Sequence, residues 1–183
     1  MSQYAVLVVD MLNDFVTGNF ACERVQRIIP PLQKLLAEAR DAKVPVIYCN
    51  DAHFAGLDHE LNHWGEHALA GTEAAEVIPE LEPQVQDYVI PKRRFSGFFQ
   101  TDLHILLREL KVDTLVITGT LTDICVRHTA ADAYQWGFDI IVPEDGVEAL
   151  SAEAHETGIS YLKTIYGAKI TACAAALFFD GAL

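Results

Sequence analysis

Short apolar runs alternate with stretches of helical repeat along almost the whole chain. Tyr4 to Val9 (YAVLVV) is an unbroken apolar run. A half-buried strand would alternate, so this run predicts a strand covered on both faces, as in a parallel sheet. Between Glu23 and Lys43, the positions Val25, Ile28, Ile29, Leu32, Leu35, Leu36 and Ala39 fall on one helix face. The Pro30–Pro31 pair is expected to kink or restart that helix. Further strands are predicted at Val44 to Cys49, at Asp87 to Ile90 (closed by Pro91–Lys92), at Thr114 to Thr118, at Phe138 to Val142 and at Ala168 to Thr171. Helices are predicted over Leu103 to Leu110 behind a Thr101–Asp102 cap, over Asp123 to Gly137, and from Ser151 to about Tyr166. Strand alternating with helix throughout predicts an α/β chain, a three-layer α/β/α sandwich around a six-stranded, mainly parallel sheet.

One long connection, residues 54–86, breaks the alternation. Long irregular segments inside a compact domain are commonly functional. His53 stands at its edge and His59, His63 and His67 within it, interleaved with Glu60, Trp64 and Glu66. A short helix is expected over Glu73 to Leu81. The tail from Cys173 to Leu183, with its Leu177-Phe178-Phe179, is apolar enough to pack on the domain or on another subunit.

At 183 residues the pattern fits one domain, spanning residues 1–183, with a sizeable core. A net charge of −13 speaks against nucleic acid or an anionic membrane surface as partner, and no apolar run reaches spanning length. The first residues, MSQYAVLVVD, have no basic stretch ahead of their apolar run, which predicts no signal peptide and a cytoplasmic chain. Cys22, Cys49, Cys125 and Cys173 are scattered without a CxxC pair, so they are expected as thiols.

Three chemically sharp groups end predicted strands: Asp10, Lys92 and Cys125. Open α/β sheets bind ligands at the C-terminal ends of their strands. A free cysteine is commonly just a small buried hydrophobe. At a helix start, however, unpaired N–H groups and the helix dipole favour thiolate over thiol. A carboxylate could take the thiol proton, and an ammonium could steady both anions. A second set, Asp51, His53, Glu60 and His67, offers oxygen and imidazole ligands of the kind that hold Zn, Fe, Mn or Co. On spacing alone His59 and His63 compete with it, and a wet polar loop is an equal alternative. No phosphate-binding glycine loop is present.

VVDMLNDF, PKRRFSGF and GTLTDICVRHTAADAYQWGF resemble the signature regions of the isochorismatase-like cysteine hydrolases, and the similarity spans nearly the whole chain. Asp51-x-His53 and WGEHALAGTE resemble the metal loop of the nicotinamidase branch, although Gly65–Glu66 stand where prolines are common and Ala52 where tryptophan is frequent. The resemblance implies a Rossmann-like hydrolase fold with strand order 3-2-1-4-5-6. It implies a catalytic triad of Asp10, Lys92 and Cys125, and an oxyanion hole from the N–H groups of Leu121 and Cys125 beside a cis peptide at Thr120–Leu121. It selects Asp51, His53, Glu60 and His67 for a divalent metal, zinc first, with iron or manganese as alternatives. Phe15, Trp64 and Phe95 are the expected pocket wall. The implied activity is hydrolysis of a small amide, nicotinamide first, in a homo-oligomer serving a small-molecule substrate. Another amide or carbamoyl compound is the alternative, and a non-catalytic ligand-binding member of the fold is a third. Cys125 argues against isochorismate cleavage, whose enzymes typically lack the thiol. The implied strand order leaves Lys92 away from Asp10, a gap that the lysine stem or a bend after Pro91 must bridge.

Overall fold

The computed structural model describes residues 3–177. Its centre is β1 (Tyr4–Val9), which pairs in parallel with β2 (Val46–Asp51) on one side and β4 (Thr114–Thr120) on the other. Beyond β2 lies β3 (Tyr88–Lys92). Beyond β4 lie β5 (Asp139–Pro143) and then β7 (Lys169–Thr171). The order is β3-β2-β1-β4-β5-β7, with all pairings parallel.

The unbroken apolar run of β1 has a direct cause. Ala5, Leu7 and Val9 point into one core, together with Leu103 and Leu107 of α5 (Leu103–Glu109), Val126, Ala130 and Ala133 of α6 (Cys125–Gln135) and Leu162 of α7 (Ala152–Tyr166). Val6 and Val8 point into a second core, with Val25 of α2 (Glu23–Gln26) and Leu32, Leu35 and Leu36 of α3 (Ile29–Asp41). Each buried leucine contributes about 1.5–3 kcal/mol. Helices therefore cover both faces, which gives the three-layer sandwich. Among the described residues no helix is long and apolar enough to cross a membrane.

Several boundaries differ from the sequence pattern. The helix expected from Glu23 does restart at the proline pair: it breaks at Arg27–Ile28 and resumes as α3, with prolines in its first turn, where a missing N–H costs little. β2 runs on through Asn50 and Asp51, and β3 through Pro91 and Lys92, because these residues pair with each other in the ladder (Asn50 with Pro91, Asp51 with Lys92). Pro91 is tolerated there because β3 is an edge strand. The helix expected over Glu73 to Leu81 is instead two short 3-10 turns, Glu73–Ala75 and Pro79–Leu81. Pro79 holds Ile78 at an extended ψ of 144°, and Val77 forms a bridge to Leu12 between the turns. A seventh strand, β6 (Val147–Glu148), pairs with the last two residues of β4. In the tail, Cys173 and Ala176 are buried in the second core, while the Phe178–Phe179 pair lies outside the described residues. Cys22, Cys49, Cys125 and Cys173 are free thiols.

Gly119 lets β4 lie against β1 at the rim of the sheet. Its φ is +97°, and an added Cβ would meet the Val9 carbonyl oxygen at 2.0 Å. Backbone cannot yield there as a flexible side chain would. Gly119→Ala is therefore expected to destabilise the fold by about 3 kcal/mol or more, measured by chemical denaturation. A loss below about 1 kcal/mol would contradict this close approach.

Candidate active site

The C-terminal ends of β1, β2 and β3 bring three charged groups to one place. Asp10 follows β1 in a left-handed conformation, φ 51°. The backbone N–H of Asp51 donates to Asp10 Oδ1 at 2.8 Å, and the Thr120 hydroxyl donates to the Asp10 carbonyl at 3.3 Å. Lys92 is fully buried, and its Nζ lies 2.7 Å from Asp10 Oδ2 and 2.6 Å from Asp51 Oδ1. Neighbouring strands are roughly 4.8 Å apart, so β3 stands about 10 Å from β1. The lysine stem crosses β2 beside Asp51 and closes that gap. Asp10 Oδ2 meets Lys92 as a buried ion pair.

Cys125 is the first residue of α6, and the position before it, Ile124, supplies no side-chain cap. Carboxylate oxygens of Asp10 and Asp51 and the thiol of Cys125 lie within 4.8 Å of one another. The preceding loop is held by Thr122 N–H to Glu148 O at 3.0 Å and by Val126 N–H to Leu121 O at 3.2 Å. Gly158 of α7 lets the loop press closely on that helix, since a Cβ there would meet Thr122 Cγ2 at 2.9 Å. The Thr120–Leu121 peptide bond is cis. Among the described residues, the N–H groups of Leu121 and Cys125 have no acceptor.

The electrostatics correct one expectation. A helix start was expected to favour thiolate at Cys125. Burial instead pushes this thiol well above its ordinary range, and the nearby Lys92 pulls it down only in part. The protein therefore holds a thiol that needs a base. Asp10 suits that need: burial, then the Asp51 charge, raise its carboxyl to about 7 against the opposing pull of Lys92. Burial also opposes the charge on Lys92, but the two carboxylates outweigh it and hold the ammonium.

Beside this trio lies the second cluster. Ligand atoms of Asp51, His53, Glu60 and His67 all fall within 4.8 Å of one another, and all four residues are buried. His59 and His63 are exposed, the latter with its ring against Trp64, so the structure separates the competing histidines. The His67 Nδ1–H donates to the Gly65 carbonyl at 2.8 Å, which leaves Nε2 with its lone pair. His53 Nδ1 is engaged by Asp58 at 3.1 Å, and its buried Nε2, 3.7 Å from Asp51 Oδ2, has no hydrogen-bond partner. Burial, then the Asp51 charge, raise Glu60. Burial resists a charge on His53, yet Asp51 and Asp58 raise it overall. Converging carboxylates, a partnerless imidazole nitrogen and no thiolate suit a divalent cation of the Zn, Fe or Mn kind.

Asp14 and Asp58, neither singled out in the sequence, hold this loop. Buried Asp14 accepts from Ala68 N–H at 2.9 Å and Asn19 N–H at 3.0 Å. Backbone bonds from His53 N–H to Ala68 O and from Ala70 N–H to His53 O, each 2.9 Å, extend β2 against the loop. Both clusters open on a cavity of about 70 Å³. Phe15, Trp64 and Phe95 line it, joined by Phe20, Ile124 and Leu150.

This parallel α/β sheet with helices on both faces matches solved structures of isochorismatase-like hydrolases. The isochorismatase domain model matches residues 4–174, so the chain belongs to the isochorismatase family. The solved N-carbamoylsarcosine amidase of Thermoplasma acidophilum is 38% identical, with a TM-score of 0.88, covering 94% of this chain and 97% of that one. Nicotinamidase PncA of Bacillus subtilis is 31% identical, also with a TM-score of 0.88, covering 92% and 99%. The uncharacterized isochorismatase family protein YaaI of Bacillus subtilis is 32% identical over 169 residues, 91% of this chain and 92% of its own length.

Proposed function

We propose that this protein hydrolyses a small primary amide through a thioester on Cys125, with nicotinamide as the amide. The carrying observation is that Asp10 and Cys125 share one cavity with Asp51, Glu60 and His67. Asp10 takes the proton of the Cys125 thiol, and the thiolate attacks the amide carbon. The N–H groups of Leu121 and Cys125 are free to receive the oxyanion. Asp10 returns its proton to the departing nitrogen, and ammonia leaves. Water then attacks the thioester while Asp10 accepts its proton, and that proton returns to sulfur as the acid departs. Lys92 holds Asp51 charged and pulls Asp10 down against the burial that raises it.

Asp51, His53, Glu60 and His67 would hold the divalent metal, zinc first, and when bound it supplies a Lewis acid for the ring nitrogen of the substrate. Phe15, Trp64 and Phe95 give that ring flat apolar walls.

The identity to N-carbamoylsarcosine amidase favours a second reading, a carbamoyl compound as substrate. N-carbamoylsarcosine carries a carboxylate, and among the described residues no lysine or arginine lines the cavity to receive one. This supports an uncharged heteroaromatic amide. The test is ammonia release across a panel of amides, with and without chelator. Nicotinamide is expected to be fastest, and chelation to lower its kcat/KM by about 10-fold or more. Preference for N-carbamoylsarcosine, unaffected by chelator, would overturn the nicotinamide assignment and keep the thioester chemistry. Ammonia from no amide would leave the non-catalytic alternative.

A further inference from the structure

Asp58 has no part in the chemistry above, yet it is the most heavily coordinated carboxylate in the metal loop. Its Oδ2 accepts from His53 Nδ1 at 3.1 Å and from Phe54 N–H at 3.0 Å. Arg93 Nε reaches its oxygens at 2.9 and 3.0 Å, and Arg93 Nη2 donates to Oδ1 as well. The Arg93 guanidinium lies over the Phe54 ring, 4.4 Å from its centroid.

We propose that Arg93 and Asp58 form a positioning relay that fixes His53 as a metal ligand, holding hydrogen on Nδ1 and presenting Nε2 to the cation.

An ordinary surface ion pair would leave both partners wet. Here the Asp58 side chain is 0% exposed and the Arg93 side chain 43% exposed. The carboxylate is thus turned inward, toward the imidazole, and the arginine seals it from outside. A carboxylate that cannot donate must receive hydrogen from Nδ1, so in the neutral ring Nε2 is the nitrogen that carries the lone pair. That same Nε2 is buried without a hydrogen-bond partner, 3.7 Å from Asp51 Oδ2. Arg93 directly follows Lys92 on the end of β3. One strand end therefore carries both the ammonium of the catalytic trio and the arginine of the relay. Through it the loop is tied to the strand end whose Lys92 meets Asp10 and Asp51. His67 lacks such a carboxylate and uses the Gly65 carbonyl, so the relay acts on one ligand of the set.

The relay rests on Asp51, His53, Glu60 and His67 being metal ligands, and its test separates the two ideas. Metal-free wild type, Asp58→Ala and Arg93→Gln are titrated with zinc against a chromophoric chelator. Asp58→Ala is expected to bind zinc about 10–100-fold more weakly, and Arg93→Gln about 3–10-fold more weakly. In zinc-loaded wild type the His53 Nδ1–H should give a slowly exchanging proton resonance, lost in Asp58→Ala to exchange with water. Arg93→Gln changes only a half-exposed residue, so it serves if Asp58→Ala does not fold. Wild-type affinity in the variants, within about twofold and with the resonance retained, overturns the relay alone. A wild type that takes up no zinc overturns the ligand set and the relay with it, while ammonia release still reports on Cys125.

Discussion

Cys125→Ala is expected to lower ammonia release by about 10⁴-fold or more, with little change in substrate binding. The expectation follows from what the substitution leaves intact. The backbone N–H groups of Leu121 and Cys125 stay, because they belong to the loop and not to the side chain. Asp10 and Lys92 keep their 2.7 Å contact, and the rings that wall the cavity are untouched. Only the atom that forms the covalent bond is lost. Unchanged melting with turnover abolished identifies the thiol as nucleophile. More than about a tenth of the activity surviving would mean that water attacks the amide directly, and that the thiol is only packing.

Asp10→Asn carries the second large effect, a fall in kcat of about 10²–10⁴-fold. Burial raises the Cys125 thiol above its ordinary range, so a base beside it serves the site. Asparagine keeps the shape of Asp10, and its one amide oxygen can accept from either the Asp51 N–H or Lys92, now at 2.8 and 2.7 Å. Lys92 keeps Asp51 at 2.6 Å, so the buried ammonium is not stranded. Lys92 itself is a poorer target, because its removal would leave two buried carboxylates without a counter-charge. Retention of wild-type kcat by Asp10→Asn, in single-turnover measurements, would contradict its role as the base.

Much of this was legible in the chain because burial on both faces writes itself as unbroken apolar runs. Tyr4–Val9 is one such run, and it lies at the centre of the sheet. Asp10, Lys92 and Cys125 were legible as sharp groups just after such runs. What escaped is non-local or too small. Val147–Glu148 is a strand two residues long, set only by its pairing with Gly119 and Thr120. Asp58 meets Arg93 across 35 residues and Asp14 meets Ala68 across 54, and no local spacing marks either pair. The choice of His67 over His59 and His63 came from resemblance, not periodicity. In the structure, buried Asp14 receives the Ala68 N–H and so ties down the residue after His67. At Cys125 the helix start is visible in the sequence, but the depth of burial that opposes the thiolate is not.

The most direct measurement is peptide mass spectrometry on protein quenched in acid during the first turnovers of the fastest amide. The peptide that contains Cys125 should carry one acyl group, absent from Cys22, Cys49 and Cys173 and absent throughout from Cys125→Ala. Ammonia released in step with free acid, with no acyl group on Cys125 at any time point, would contradict the thioester.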